Sequence, residues 1–197
     1  MQHVVIVGAS LAGLQAAQTL RRADENLAIT MIGAERHLPY DRPPLSKHYL
    51  AGEWDEDKLR LRAAADPDAL GLTWRLGIAA TAVSVEERMV SLADGSSVEF
   101  DGLVIATGAS PRLLPGADLD GVHVLRSLDD ATALRSRFDA APSHVVVIGA
   151  GFIGAEVAAT ARERGLSVSM IEAADTPLAR VLPPEAGAQI TELHRAH

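Results

Sequence analysis

The sequence predicts an α/β fold built from two copies of one strand–turn–helix module, and three observations carry this reading. Each copy opens on a β-branched run suited to a strand buried on both faces, continues through closely spaced glycines, and leads into an alanine-rich stretch with apolar residues at helical spacing. The copies echo one another: His3-Val-Val-Ile-Val-Gly-Ala-Ser-Leu-Ala-Gly13 returns as His144-Val-Val-Val-Ile-Gly-Ala-Gly-Phe-Ile-Gly154, with six of the eleven positions identical. Copies so far apart are separate modules of one kind, not units of a solenoid.

Taken in order, the run from Val4 to Val7 reads as the first strand, the segment after Gly13 as a helix, and Leu27 to Ile32 as the strand that completes a parallel βαβ unit. Val83 to Val85 and Met89 to Leu92 read as paired strands. Asp94-Gly95 is a hairpin dipeptide leading to Val98 to Phe100, so a small antiparallel meander is expected. Leu103 to Ala106 reads as a return to the buried sheet, and Pro111 and Pro115 punctuate the exit from it. A boundary within 115–121 gives a first domain at 1–116 and a second at 117–197. Ser127 and Asp130 form a capping box for a linker helix through Phe138. Ser167 to Ile171 completes the second βαβ unit. The expectation is therefore two Rossmann-like domains in three-layer arrangements, a parallel sheet plus the meander.

A chain of 197 residues with 48% hydrophobic content can bury a genuine core. Its 18 basic and 26 acidic residues give a formal charge of -8, with no long block of either sign. That distribution argues against a nucleic-acid footprint or a polybasic membrane anchor, and small molecules are the expected partners. The first apolar run is too short for a signal-peptide core and no stretch approaches a membrane span, so a cytoplasmic location is expected. There is no cysteine. Structural disulfides, thiolate metal sites and redox-active dithiols are thereby excluded, no metal site is expected, and any electrons must pass through a cofactor.

A dinucleotide pyrophosphate requires backbone N–H donors at a helix N-terminus, with glycines where a side chain would block the turn, the phosphate or the helix packing. Gly149, Gly151 and Gly154 meet these requirements, and Glu172 stands at the end of the next strand, where a carboxylate accepts hydrogen bonds from an adenosine ribose. The first copy departs from the pattern, with Ser10 at the middle position of Gly8-Ala-Ser10-Leu-Ala-Gly13. Its expected ribose acid is Glu35, preceded by Ala34. The two turns together predict two dinucleotide sites. Because Glu172 would repel a 2′-phosphate, NADH is preferred over NADPH.

The segment Pro39-Tyr-Asp-Arg42-Pro-Pro-Leu-Ser-Lys47, together with Ala106-Thr107-Gly108 after a strand, resembles the oxygenase-coupled NADH-dependent ferredoxin reductases, the putidaredoxin reductase-like FAD/NAD flavoproteins. The resemblance covers the whole chain. It implies that Gly8, Ser10, Ala12 and Gly13 hold the FAD pyrophosphate and Glu35 the ribose. Arg42 and Lys47 would lie along the flavin, backbone near Ala80 would face the adenine, and Ala106, Thr107, Gly108 and Arg126 would complete this part of the pocket. For the nicotinamide cofactor it implies Gly149, Gly151, Phe152, Ile153, Gly154 and Glu156, with Glu172 and Arg180 near the adenosine end. Lys47 and Glu156, expected from different modules, would converge beside the reacting rings as the catalytic pair. Relatives in this family are longer. The chain, stopping at His197 within the helix expected after Glu172, is read as an N-terminal fragment, its fold incomplete at the C-terminus.

The activity implied is FAD-dependent NAD(P)H:ferredoxin reduction, with hydride passing from NADH to flavin and single electrons to a ferredoxin-type iron–sulfur protein. Disulfide reductases and thiol-dependent NADH oxidases find no support in a chain without cysteine. A rubredoxin reductase, a nitrite reductase NADH component and a catalytically silent nucleotide-binding fragment stay open as alternatives.

Overall fold

The computed structural model describes residues 2–64 and 66–196. The elements run β1 (His3–Val7), α1 (Leu11–Ala23), β2 (Ala28–Gly33), a 3-10 turn (Pro43–Ser46), α2 (His48–Ala51), α3 (Glu56–Leu59), a second 3-10 turn (Arg62–Ala64) and β3 (Thr73–Leu76). There follow β4 (Ala80–Ser84), β5 (Met89–Leu92), β6 (Ser97–Glu99), β7 (Gly102–Ile105), α4 (Leu128–Asp139), β8 (Val145–Ile148), α5 (Phe152–Glu163), β9 (Val168–Ile171) and α6 (Pro184–Ala196). They form two compact units, one of Met1–Asp41 with Asp57–Ser110, the other of Arg42–Glu56 with Pro111–His197.

The first unit is built on a parallel sheet of order β3-β2-β1-β7, beside a three-stranded antiparallel sheet of order β4-β5-β6. Alternation along β1 explains the layering, because successive side chains of a strand point to opposite faces. Val4 and Ile6 join Ala17 of α1, Ile29 and Met31 in one core, whereas Val5 and Val7 join Ile32, Val90 and Leu92 in another. A continuous β-branched run thus serves a helix on one side and the meander on the other. Gly95, at φ +82°, makes the β5–β6 turn that an Asp-Gly dipeptide favours.

The second unit carries a two-stranded parallel sheet, β8-β9, with Val145 paired to Val168 and Ile148 to Ile171. One face packs against α4 and α5 through Val147, Phe138, Val157, Ala158 and Ala161, and the fully buried Leu50 of α2 enters the same core. The opposite face leaves Val146, Ile148 and Ile171 exposed. The capping box at Ser127 and Asp130 is formed in both directions, which fixes the start of α4.

Several expectations are corrected. The division into 1–116 and 117–197 differs from the observed units, because residues 42–56 pack with α4 and α5 through Leu50 and through polar bonds described below. The run at Leu103 forms β7, whose one strand neighbour among the described residues is β1, and it is only half-buried, with Ile105 largely exposed. The first meander strand begins at Ala80, and Val85 lies beyond it in the turn. Strand β3 was not expected at all: four residues with Arg75 in the middle carry no strand pattern of their own, and β2 imposes it by pairing.

In both units the helix after the glycine turn lies directly on the turn. A Cβ on Gly13 would sit 1.9 Å from the carbonyl oxygen of Gly8, and one on Gly154 would sit 1.9 Å from that of Gly149. A Cβ on Gly151 would meet nothing within 4 Å. Gly154→Ala is therefore expected to destabilise the protein by about 1–3 kcal/mol or more, although alanine is the better helix former. Gly151→Ala should leave stability nearly unchanged. Urea unfolding of both variants checks this, and equal losses would count against the packing argument.

Candidate functional site

The two glycine turns are built alike. Gly8 and Gly149 adopt φ of +120° and +103°, a region that favours glycine, and each donates its N–H to the end of the adjacent strand, at the carbonyls of Ile32 and Ile171. The turns then deliver Ser10 and Gly151 as N-caps of α1 and α5, neither with a side-chain capping bond. Ser10 is in extended backbone, which any residue adopts, so the missing middle glycine imposes no strain there. At the second turn the open space beside Gly151 is where a ligand's phosphates can approach the backbone, and the residues present fit a dinucleotide.

Glu172 is held beside that turn. One carboxylate oxygen accepts the Ala150 N–H at 2.7 Å and the other the Ala174 N–H at 2.9 Å. The Ala174 and Ala150 bonds, with the nearby Arg180 guanidinium adding to them, hold the carboxyl below the ordinary glutamate range. In the first unit Glu35 follows β2 and accepts the hydroxyl of Tyr40, a nearly buried tyrosine, at 2.5 Å. A Cβ on Gly8 would lie 2.0 Å from the Ala106 carbonyl oxygen and 3.0 Å from the Thr107 nitrogen, so the turn and the segment after β7 are in intimate contact. Ala80 pairs with Leu92 and packs against the meander core.

The richest chemistry lies within the second unit, in a cavity of about 270 Å³ lined by Arg42, Leu45, Ser46, Lys47, Arg126, Phe152, Ile153 and Glu156. Lys47 Nζ stands 2.8 Å from Glu156 Oε2, and the Ser46 hydroxyl donates to the same oxygen. Burial pushes the Glu156 carboxyl up, but the hydrogen bonds from Lys47 and Ser46 outweigh it and leave the group below its ordinary range. The loop is anchored from both sides. Arg42 donates to the Arg126 carbonyl, the Thr160 hydroxyl to the Ser46 carbonyl, Arg164 to that of Leu50 and Arg135 to that of Trp54, while Tyr49 and Thr132 share a hydroxyl bond. A larger concavity beside α1, about 500 Å³, is lined among the described residues by Leu11, Leu14, Gln15, Gln18, Leu61 and Arg62, none of which carries a carboxylate, hydroxyl or imidazole.

Lys47 and Glu156 thus meet, but inside one unit and not from two modules as expected. The residues expected along FAD divide: Gly8, Ser10, Ala12, Gly13, Glu35, Ala80, Ala106, Thr107 and Gly108 fall in the first unit, and Arg42, Lys47 and Arg126 in the second. Sequence reasoning missed Tyr40, Ser46 and Thr160. Ser46 and Tyr40 lie within the Pro39 to Lys47 segment, yet nothing in their own pattern announces a carboxylate partner. Thr160 is one helical turn beyond Glu156, a spacing that places both on one face of α5.

Paired strand–turn–helix units with glycines at the turn and an acid after the following strand are the architecture of the dinucleotide-binding oxidoreductases. The chain belongs to the pyridine nucleotide-disulphide oxidoreductase family, whose model matches residues 2–197. It is 43% identical over 196 residues to rhodocoxin reductase of Rhodococcus erythropolis, covering 98% of this chain and 46% of that protein. It is 41% identical over 193 residues to the ferredoxin–NAD(+) reductase subunit of the benzene 1,2-dioxygenase system of Pseudomonas putida, covering 97% and 47%. Among solved structures, putidaredoxin reductase in its covalent complex with putidaredoxin matches with a TM-score of 0.91 at 38% identity, covering 99% of this chain and 48% of that one. The resemblance read from the Pro39 to Lys47 segment is borne out. The chain spans about half the length of the curated relatives it matches.

The lowered Glu172 carboxyl has a consequence for pH. A carboxylate with a depressed folded value contributes stability that is fully present above the ordinary glutamate pKa of about 4.3 and is lost as pH falls through the folded value. Glu172→Gln should therefore be less stable than the parent at neutral pH, with the gap closing as the solution is acidified below that range. Denaturant midpoints measured across pH check this, and a gap independent of pH would contradict it.

Proposed function

We propose that this chain supplies FAD- and NADH-binding elements of a ferredoxin reductase that accepts hydride from NADH and passes single electrons to a ferredoxin-type iron–sulfur protein. The observation that carries the reading is the Lys47–Glu156 pair in a cavity at the head of α5, the helix whose N-cap is the open Gly151. The name of one matched relative, the ferredoxin–NAD(+) reductase subunit of a benzene 1,2-dioxygenase system, supports the same class of acceptor. Bound flavin supplies the step between two-electron and one-electron chemistry.

The chain's own residues hold and orient. The α5 N-terminus and Gly151 accommodate the NADH pyrophosphate, and Glu172 accepts the ribose hydroxyls in place of, or beside, its two backbone donors. Lys47 presents an ammonium on the cavity wall, where it would stabilise negative charge on a bound flavin, and Glu156, which holds that ammonium, would line the nicotinamide pocket. At the first turn α1 and Gly8 accommodate the FAD pyrophosphate, with Glu35 toward the ribose and its direction set by Tyr40. No helix among the described residues is long and apolar enough to cross a membrane. The cytoplasm is the proposed location.

Calorimetric titration of the purified chain with each cofactor tests the binding reading. NADH should bind at least about tenfold more tightly than NADPH, one unfavourable charge contact of about 1.4 kcal/mol being sufficient. Equal affinities would overturn the role of Glu172, and a chain that binds neither NADH nor FAD would overturn the proposal. In the FAD-loaded protein, Lys47→Met should slow flavin reduction at saturating NADH by about tenfold or more while changing NADH affinity little, as stopped-flow absorbance would record. Unchanged reduction would remove Lys47 from the reaction.

A further inference from the structure

Glu156 carries two donors on one oxygen. Lys47 reaches it from the exposed end of the loop, and the two side chains are 41% and 35% exposed. Ser46 reaches it from a position only 5% exposed, and its own backbone carbonyl is tied down by the hydroxyl of the buried Thr160 at 2.8 Å. A lysine on a flexible stem in a partly solvated pair has many rotamers of similar energy, so the pair by itself does not fix where the ammonium sits. A short serine side chain on an anchored backbone has few. We propose that Ser46 is a positioning residue: its hydroxyl, held by Thr160 through the backbone, fixes the orientation of the Glu156 carboxylate and with it the place of the Lys47 ammonium.

This inference rests on the role proposed above for Lys47 and Glu156, and it extends that role to a residue with no ionisable group. The chain of contacts runs from the core outward. Thr160 and Glu156 project from the same face of α5, Ser46 lies against both, and Lys47 follows Ser46 in the chain. Among the described residues lining the cavity, Lys47, Arg42 at the start of the loop and Arg126 before α4 are the charged side chains beside Glu156, and all three are basic. A hydrogen bond that a carboxylate accepts favours its charged form, so losing the Ser46 donor must raise the pH at which Glu156 takes up a proton.

The test is a carbon-13 NMR titration of glutamate side-chain carboxyls in the 197-residue chain without cofactor, with the Glu156 signal assigned by its loss in Glu156→Gln. Ser46→Ala should move the Glu156 midpoint upward, and Ser46→Thr, which keeps the hydroxyl, should restore it. Thr160→Val should shift it in the same direction by a smaller amount, since it removes the anchor and leaves the donor. Should Ser46→Ala fail to fold, Ser46→Cys, a weaker donor of similar size, is read in its place and must also move the midpoint upward. A midpoint unchanged in Ser46→Ala, or in Ser46→Cys where that is the folded variant, would overturn the inference. So would Ser46→Thr behaving like alanine. Because no cofactor is present, these results are independent of whether the chain binds FAD or NADH, which the calorimetry above decides separately.

Discussion

The strand-to-helix crossing is the constraint on which the rest of the molecule depends. At Gly13 and Gly154 the helix backbone lies so close to the preceding turn that a methyl group would overlap a carbonyl oxygen. That contact directs the first N–H groups of α1 and α5 out over the ends of β1 and β8, and it brings the acids that follow β2 and β9 alongside. The parallel pairing of β1 with β2 and of β8 with β9 follows from the same crossing. The placing of each helix N-terminus at the strand ends is thus a by-product of how tightly the helix is seated.

The second organising contact is the docking of residues 42–56 onto α4 and α5. Leu50 supplies the apolar anchor and Arg164, Arg135, Thr160 and Tyr49 the polar ones. Backbone carbonyls of a loop need partners when they are covered, and here long cationic side chains and hydroxyls of the helices provide them. The 3-10 turn and α2 within the segment are therefore held in place by side chains of α4 and α5. Charge placement follows: Lys47 has a fixed base, and Glu156 is kept anionic by donors that outweigh its burial.

Much of this was legible in the residues. The echo of His3 to Gly13 at His144 to Gly154 revealed both βαβ units, because buried parallel strands and tight turns leave uninterrupted β-branched runs and spaced glycines. Asp94-Gly95 revealed the meander and Ser127 with Asp130 the start of α4. Glu172 was found from its place after a strand. What escaped notice depends on tertiary partners. Strand β3 exists because β2 pairs with it, and nothing about Thr73 to Leu76 alone demands a strand. The attachment of residues 42–56 to the second unit is decided by Leu50, Arg135 and Arg164, which lie far apart in the chain and show no mutual pattern. For the same reason Ser46 and Tyr40 were visible as members of a motif but not as partners of Glu156 and Glu35.

The polypeptide passes from one unit to the other after Asp41, returns after Glu56 and passes again after Ser110. Neither unit is a continuous stretch, so synthesis and folding are out of step. When residues 42–56 leave the ribosome, the helix they rest on has not yet been made; the Ser46–Glu156 contact alone spans 110 positions. Closing a loop of that size costs entropy before any docking contact repays it. Until α4 and α5 have been synthesised, the groups that cover Leu50 and Tyr49 in the folded unit do not exist.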